Sequence, residues 1–188
     1  MVPFLKEYQV RRILAFLYPA QYADANWQQD NSIMAIGSGQ LFGKGLNNNT
    51  LASVKSGNFL SEEQTDFIFA VYGEEFGLIG NILLLLVYLV ILTRGLLIAA
   101  KAQSLYSRTL AGALTMTFFC YAFVNMGMVS GILPVVGVPL PLVSYGGTAT
   151  LSIMTVLALL MGISSEHKTK RRYEFNDKAD VNVSTKNQ

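Results

Sequence analysis

Charged residues are scarce in this sequence, and long stretches contain none. Only 14% of the 188 residues are Asp, Glu, Lys or Arg, whereas 52% are hydrophobic, and the mean hydropathy is +0.38. The stretch 109–165 holds neither a charged residue nor a histidine across 57 positions. This composition excludes an ordinary soluble domain and indicates a membrane protein.

Cysteine and histidine each occur only once. Cys120 lies within the long uncharged stretch, and His167 lies in a basic segment near the end of the chain. A disulfide within the chain is therefore excluded, and so is a zinc site built from several Cys and His ligands. Residues 1–19 lack the continuous apolar run of a cleavable signal peptide, so we expect membrane insertion to rely on the spans themselves.

Three stretches are apolar and long enough to cross a bilayer, which takes about 20 helical residues. One follows Glu75, after which no charge appears until Arg94. The stretch 109–165 is too long for one span and suits two spans with a connection, which its prolines and glycines mark. We predict an all-α polytopic membrane protein with transmembrane helices near 67–93, 109–131 and 146–164, preceded by a large extracytoplasmic loop region.

Basic residues cluster at two places and orient the spans. Arg94, Lys101 and Arg108 lie between the first two spans without an acidic residue, and six Lys or Arg follow Ser165. By the positive-inside rule, both clusters are cytoplasmic. The predicted divisions are an extracytoplasmic loop region over 1–66 that carries the active-site motif, a three-span membrane region over 67–165, and a basic cytoplasmic tail over 166–188.

The predicted loop region contains short ordered elements. Residues 8–17 are typical of a short amphipathic helix, and residues 27–36 indicate another short element. Four glycines follow in the nine residues 37–45. Their spacing matches neither a Walker nor a Rossmann pattern, so a flexible turn and a ligand-facing loop both stay open.

Carboxylates cluster where the loop region meets the first span. Glu62, Glu63 and Asp66 come just before the span, and Glu74 and Glu75 lie about two turns into it. A carboxylate held where water meets lipid could act on a substrate with a polar head and a membrane anchor. Asp66 could serve as a general base or as a helix N-cap. Glu74 and Glu75 could be interfacial or line a polar groove, because a charged carboxylate is costly within the bilayer.

Three stretches resemble the SEDS family, the RodA, FtsW and SpoVE proteins of bacterial wall synthesis, and the last stretch favours the RodA-like branch. The matching residues are Tyr8, Gln9 and Arg12; 35–39 with Gly43 and Gly45; 65–70 with 73–75 and Gly77; and 125–128, 131–134, 137–141 and 144–147. The resemblance runs from about residue 5 to 165. It covers only the C-terminal half of the family's pattern of roughly ten spans, so we expect a fragment that is inactive alone.

The resemblance implies a peptidoglycan glycosyltransferase of the bacterial plasma membrane, serving cell shape and elongation or division. Such an enzyme joins lipid II to a growing glycan strand and releases undecaprenyl diphosphate. It implies Asp66 as the catalytic residue and a class B penicillin-binding protein as partner, with no nucleic acid. Two alternatives stay open, namely a flippase that moves lipid-linked precursors and a noncatalytic membrane adaptor for the penicillin-binding protein.

Several further residues are candidates for substrate binding, with Glu62 ranked second to Asp66. They are Glu62, Gln64, Lys44, Glu74, Asn125 and Ser144. Asn125 could instead form an interhelical hydrogen bond, and Ser144 could belong to a structural cap on the bundle. Many family members have Pro and His where this chain has Ser61 and Gln64, so no imidazole would assist Asp66.

No cofactor is demanded by the sequence. Glu62, Glu63 and Asp66, together with a diphosphate, would nevertheless offer the hard oxygen ligands that Mg²⁺ or Mn²⁺ prefers. Alternatively, Lys44 or Lys55 would neutralise the diphosphate.

Overall fold

The computed structural model describes residues 7–18, 21–45 and 65–165, and this part of the chain is helical without a strand. Its helices are α1 (Glu7–Leu17), α2 (Ala23–Ser38), α3 (Ile68–Lys101), α4 (Leu105–Val129) and α5 (Gly147–Ser165). The last three are long and apolar enough to cross a membrane. The predictions of an all-α fold with three spans and of a short helix near 8–17 are confirmed, and the short element near 27–36 is the helix α2.

The first span is longer than the sequence pattern predicts. The uncharged stretch predicts an end near residue 93, but α3 continues through Arg94 to Lys101. Its 34 residues extend about 50 Å, whereas the hydrocarbon core of a bilayer is about 30 Å thick. The first charge after the apolar stretch therefore does not mark the end of the helix. Only residues 102–104 separate α3 from α4, whose N-cap Ser104 accepts a hydrogen bond of 3.0 Å from the main-chain N–H of Ser107.

Helices α3 and α4 pack through small residues and one aromatic pair. Gly95 of α3 lies directly against Thr115 of α4, where a side chain on the glycine would overlap the threonine. Nearer the other end, the ring centroids of Tyr88 and Phe118 are 5.6 Å apart. Small residues at a helix crossing allow close backbone approach within a membrane.

The fifth helix joins this packing at the far end of the bundle. Leu160 of α5 packs in a buried cluster with Ala99 of α3 and Ala111 of α4. Even so, only 17% of the most apolar window of α3 and 11% of that of α5 are buried within the chain. Much of the apolar surface of these spans is therefore directed away from the described residues.

Buried polar side chains of helix α2 form hydrogen bonds to the main chain at the end of α4. Gln29 donates hydrogen bonds of 2.8 Å to the carbonyl oxygens of Met128 and Leu133, and Ser32 donates one of 2.8 Å to that of Val129. The last carbonyls of a helix have no partner within it. These side chains supply donors at this end of the bundle, which places α2 over the C-terminal end of α4.

Helix α3 is interrupted at Gly77, where φ is 65° and ψ is −161°. The segment 39–45, which follows α2, lies in this break. Leu78 and Ile79 donate main-chain hydrogen bonds of 2.9 and 3.2 Å to the carbonyls of Gln40 and Leu41. Each would otherwise donate to the carbonyl four residues earlier in α3. The carbonyls of the inserted segment thus take the place of the α3 carbonyls that would otherwise accept these hydrogen bonds.

The same segment also satisfies the carbonyls on the other side of the break. Lys44 and Gly45 donate main-chain hydrogen bonds of 2.9 and 3.0 Å to the carbonyls of Glu74 and Glu75. A side chain on Gly43 would overlap the backbone at Glu75. Gly39 and Gly43 therefore permit a close backbone approach to α3, a role that the sequence pattern does not predict.

Candidate active site

Asp66 lies just outside the start of α3. The N-cap of the helix is Phe67, whose side chain is buried and makes no capping hydrogen bond. Asp66 is half-buried and immediately precedes this cap. The structure therefore gives the N-cap position to Phe67, one residue after Asp66.

The connection between α4 and α5, residues 130–146, passes beside Asp66. Gly137 has a φ of 79°, and a Cβ on this residue would lie 3.1 Å from Oδ2 of Asp66. The carboxylate is thus next to the backbone of the connection. Positive φ strongly favours glycine, and the absence of a side chain leaves this space to the carboxylate.

Asn125 links the start of α3 to this connection. Its side chain is fully buried near the end of α4, and Nδ2 donates hydrogen bonds to the carbonyls of Asp66 at 2.8 Å and Val138 at 2.6 Å. Oδ1 of Asn125 is buried and accepts no hydrogen bond within the described part of the chain. Asn125 therefore does not bind a neighbouring helix, as one of the two predictions had it. It binds the main-chain carbonyls of two residues outside the helices.

Ser144 makes a second link one residue earlier along the chain. Its Oγ donates a hydrogen bond of 2.6 Å to the carbonyl of Thr65 and accepts one of 2.6 Å from the main-chain N–H of Leu140. Ser144 is only 8% exposed. The structure therefore brings together three of the residues singled out in the sequence, namely Asp66, Asn125 and Ser144.

Lys44 and Glu74 form a different group at the break in α3. Nζ of Lys44 lies 2.7 Å from Oε1 of Glu74, and the glutamate side chain is only 3% exposed. Asn81, further along α3, is buried with an Oδ1 that accepts no hydrogen bond from the described residues. The Glu74 side chain is thus buried, and its charge is paired with Lys44 within the protein.

The remaining candidates lie outside the part of the chain that the structure describes. They are Glu62, Glu63, Gln64 and Lys55, together with the tail over 166–188. Within the described residues, no cluster of three or more His, Cys, Asp or Glu could hold a metal ion. Because Glu62 and Glu63 are two of the three ligands considered, the Mg²⁺ or Mn²⁺ site stays a prediction, and so do the substrate-binding roles and the domain boundaries.

Sequence inspection missed two anchors of the connection. Nη1 of Arg12 lies 3.2 and 3.4 Å from the carbonyl oxygens of Val135 and Val136, and the hydroxyl of Tyr88 donates a hydrogen bond of 2.6 Å to that of Pro141. Prolines and glycines leave many carbonyls unpaired, so donors elsewhere in the chain were to be expected. Which donors they are depends on contacts between residues more than 50 positions apart.

Comparison with known proteins places the chain in a family. The sequence model of the FtsW, RodA and SpoVE family, described as "Cell cycle protein", matches residues 1–169. Peptidoglycan glycosyltransferase MrdB of Escherichia coli K12 is 47% identical over 165 residues, covering 87% of this chain and 44% of MrdB. Probable peptidoglycan glycosyltransferase FtsW of E. coli O6:H1 is 37% identical over 172 residues, covering 89% of this chain and 41% of FtsW.

A solved structure agrees with these sequence matches. It is described as "Structural coordination of polymerization and crosslinking by a peptidoglycan synthase complex", and its matching chain superposes with a TM-score of 0.65 at 25% identity. The match covers 88% of this chain and 44% of that chain. This chain therefore spans less than half the length of the proteins it matches, and it belongs to the FtsW, RodA and SpoVE family of multi-pass membrane proteins.

Proposed function

We propose that this chain provides the catalytic aspartate of a peptidoglycan glycosyltransferase that polymerises lipid II. The observation that carries the proposal is the 47% identity to MrdB, a peptidoglycan glycosyltransferase, across 87% of the chain. The position of Asp66 supports it, since the carboxylate lies beside the connection between the last two spans. The chain covers only 44% of MrdB, so the activity belongs to a protein that also supplies the other spans of the bundle.

In the proposed reaction, Asp66 acts as a general base. Its carboxylate takes the proton of the acceptor sugar hydroxyl while the hydroxyl oxygen forms a bond to the anomeric carbon of the donor. The bond from that carbon to the diphosphate breaks, and undecaprenyl diphosphate leaves with the electron pair. Charge develops at the anomeric carbon as in an oxocarbenium ion, so a carboxylate held nearby also stabilises the transition state.

The proposal includes an orientation and a partner. The positive-inside rule places the start of α3 and the connection on the extracytoplasmic side, where lipid II is polymerised, with the C-terminal tail in the cytoplasm. The matching solved structure belongs to a complex of polymerisation and crosslinking. We therefore assign a class B penicillin-binding protein, a crosslinking transpeptidase, as the partner in the plasma membrane.

The test uses a chimera in which this chain replaces the aligned region of E. coli MrdB. Lipid II polymerisation by the purified chimera is compared for the parent, Asp66→Asn and Asp30→Asn. Asp30 lies exposed on α2 and is the matched control. We expect Asp66→Asn to lower the polymerisation rate by roughly 100-fold or more, because the amide cannot accept the proton. Asp30→Asn should keep the parent rate.

The same chimera distinguishes the other two functions. A flippase would lose precursor movement in a vesicle assay on Glu74→Gln substitution while Asp66→Asn left it intact. A noncatalytic adaptor would bind the penicillin-binding protein, but the parent chimera would not polymerise lipid II. Polymerisation by Asp66→Asn at the parent rate would contradict the proposed function.

A further inference from the structure

Two side chains hold the backbone on both sides of the Asp66 Cα atom. Ser144 binds the carbonyl oxygen of Thr65, and Asn125 binds that of Asp66. Each peptide unit is planar, so fixing its carbonyl oxygen restrains the orientation of the whole unit. The first unit ends at the Asp66 Cα and the second begins there. With both units held, φ and ψ of Asp66 are restrained, and these angles determine the direction of its Cα–Cβ bond.

Neither side chain has a donor left for a ligand. Asn125 has two N–H donors on Nδ2, which serve the carbonyls of Asp66 and Val138. Ser144 has one hydroxyl donor, which serves the carbonyl of Thr65. Asn125 is fully buried and Ser144 is only 8% exposed. The donors of both residues are thus fully engaged with main-chain acceptors, which argues against direct contact with a diphosphate, and the burial of both side chains argues against contact with a sugar.

The orientation of the Asn125 amide is set by its two acceptors. Reversing the amide would direct Oδ1, which cannot donate, at the two carbonyl oxygens. In the observed orientation, Oδ1 is buried without a hydrogen bond from the described residues. A buried polar atom without a hydrogen bond destabilises the folded protein. An aliphatic residue would avoid that cost but could not hold the two carbonyls.

The same hydrogen bonds position the connection relative to the carboxylate. The Asn125 amide binds the main-chain carbonyls of both Val138 and Asp66. Gly137, which precedes Val138, lies against Oδ2 of Asp66. Ser144 also accepts from Leu140, so one hydroxyl links the start of α3 to the connection. The carboxylate and the backbone beside it are therefore held as one unit.

We propose that Asn125 and Ser144 are positioning residues, which fix the direction of the Asp66 carboxylate through its main chain and do not bind substrate. This proposal rests on the proposed function, because it assumes that Asp66 is the base. Misplacement of a reacting group by about 1 Å can lower a rate on the order of 100-fold. The proposal thus predicts large losses in kcat with little change in substrate affinity.

The experiment uses Asn125→Leu and Ser144→Ala in the MrdB chimera, with Ser144→Thr as a variant that retains the hydroxyl. The matched controls are Asn26→Leu and Ser32→Ala. Asn26 is also a buried asparagine that donates to a main-chain carbonyl, that of Ala15 at 2.8 Å, and Ser32 is a buried serine that donates to that of Val129. The controls therefore remove comparable hydrogen bonds that do not involve Thr65 or Asp66.

Polymerisation kinetics and backbone exchange are measured for every variant. We expect Asn125→Leu and Ser144→Ala to lower kcat about 10- to 100-fold with KM for lipid II within about twofold, and Ser144→Thr to recover most of the loss. In hydrogen–deuterium exchange of the chimera in detergent, both variants should exchange faster over residues 65–67. The controls should lower the thermal midpoint without changing kcat or this exchange.

Three results would overturn the proposal. One is a rise in KM at unchanged kcat, which indicates substrate contact. Another is a loss of kcat no larger than in the controls, which indicates a purely structural role. The third is an unchanged rate of hydrogen–deuterium exchange over residues 65–67 in Ser144→Ala. Because Ser144→Ala is the milder substitution, this result decides the question if Asn125→Leu does not fold.

Asp66→Asn, measured in parallel, separates this proposal from the proposed function. If Asp66→Asn is inactive while Asn125→Leu and Ser144→Ala keep the parent kcat, only the positioning role fails. If Asp66→Asn polymerises at the parent rate, the proposed function fails and the positioning role fails with it.

Discussion

Asn125 donates a hydrogen bond of 2.8 Å from its side-chain amide to the main-chain carbonyl of Asp66, which lies 59 residues earlier in the chain. This bond joins the end of α4 to the start of α3. The same amide also holds Val138 in the connection between α4 and α5. Three separate parts of the chain therefore meet at one buried side chain, beside the carboxylate proposed to be catalytic.

Replacing Gly77 by alanine should destabilise the protein strongly. Its φ of 65° is unfavourable for a residue with a side chain, and a Cβ would overlap the backbone of the inserted segment at Gly43. We expect a loss of about 3 kcal/mol and a thermal midpoint lower by roughly 6–12 °C, measured by unfolding in detergent.

The control for this prediction is Gly37→Ala. Gly37 lies within α2, and a Cβ there would meet nothing within 4 Å. Alanine is favoured over glycine within a helix by about 0.5–1 kcal/mol, so this variant should be neutral or slightly more stable. Equal thermal midpoints for the two variants would show that the break in α3 does not depend on glycine.

Replacing Lys44 should lower the free energy of unfolding more than replacing its ion-pair partner Glu74. Lys44→Met leaves a carboxylate that is only 3% exposed without its ammonium partner, whereas the Lys44 side chain is 23% exposed and can reach water after Glu74→Gln. We expect a loss of about 2–3 kcal/mol for Lys44→Met and less for Glu74→Gln.

The double variant Lys44→Met/Glu74→Gln should recover part of the loss, because no uncompensated charge is then buried. Free energies from thermal or denaturant unfolding of the two single variants and the double variant give the coupling between the side chains. Strictly additive losses would mean that the pair contributes no interaction energy.

Tyr88→Phe should destabilise the connection between α4 and α5. The substitution removes the 2.6 Å hydrogen bond to the carbonyl of Pro141 and leaves a buried acceptor unsatisfied. We expect a loss of about 1–3 kcal/mol, read from the thermal midpoint. Tyr106→Phe is the control, since Tyr106 is 76% exposed and should tolerate the change. A Tyr88→Phe variant as stable as the control would contradict the importance of this bond.

The proposed orientation can be tested by cysteine labelling, because the chain has only Cys120 to remove. In a Cys120→Ala background, new cysteines replace Tyr145 in the connection and Gln103 between α3 and α4. Both positions are exposed in the structure. A membrane-impermeant maleimide should label Tyr145→Cys in intact spheroplasts and Gln103→Cys only after permeabilisation. The opposite labelling pattern would reverse the orientation.

Much of the architecture could be predicted from the sequence because a bilayer imposes simple rules. Helices that cross lipid must be about 20 apolar residues long, so uncharged stretches locate the spans. The same rules misplace the end of α3. Charged residues such as Arg94 and Lys101 are compatible with a helix that continues beyond the lipid as well as with a loop. The glycine segment after α2 has the composition of a turn or a ligand-facing loop, and nothing local in the sequence shows that its backbone fills a gap in another helix.

By itself, the sequence determined the class of protein, the number of spans in this chain, the family and the candidate aspartate, because composition, charge and short motifs are local properties. Only the tertiary structure decided which groups surround Asp66. Asn125 and Ser144 could each have bound substrate or stabilised the bundle, and their main-chain partners assign them to the backbone around Asp66. A hydrogen bond depends on where distant parts of the chain meet, and that is set by the packing of the helices as a whole.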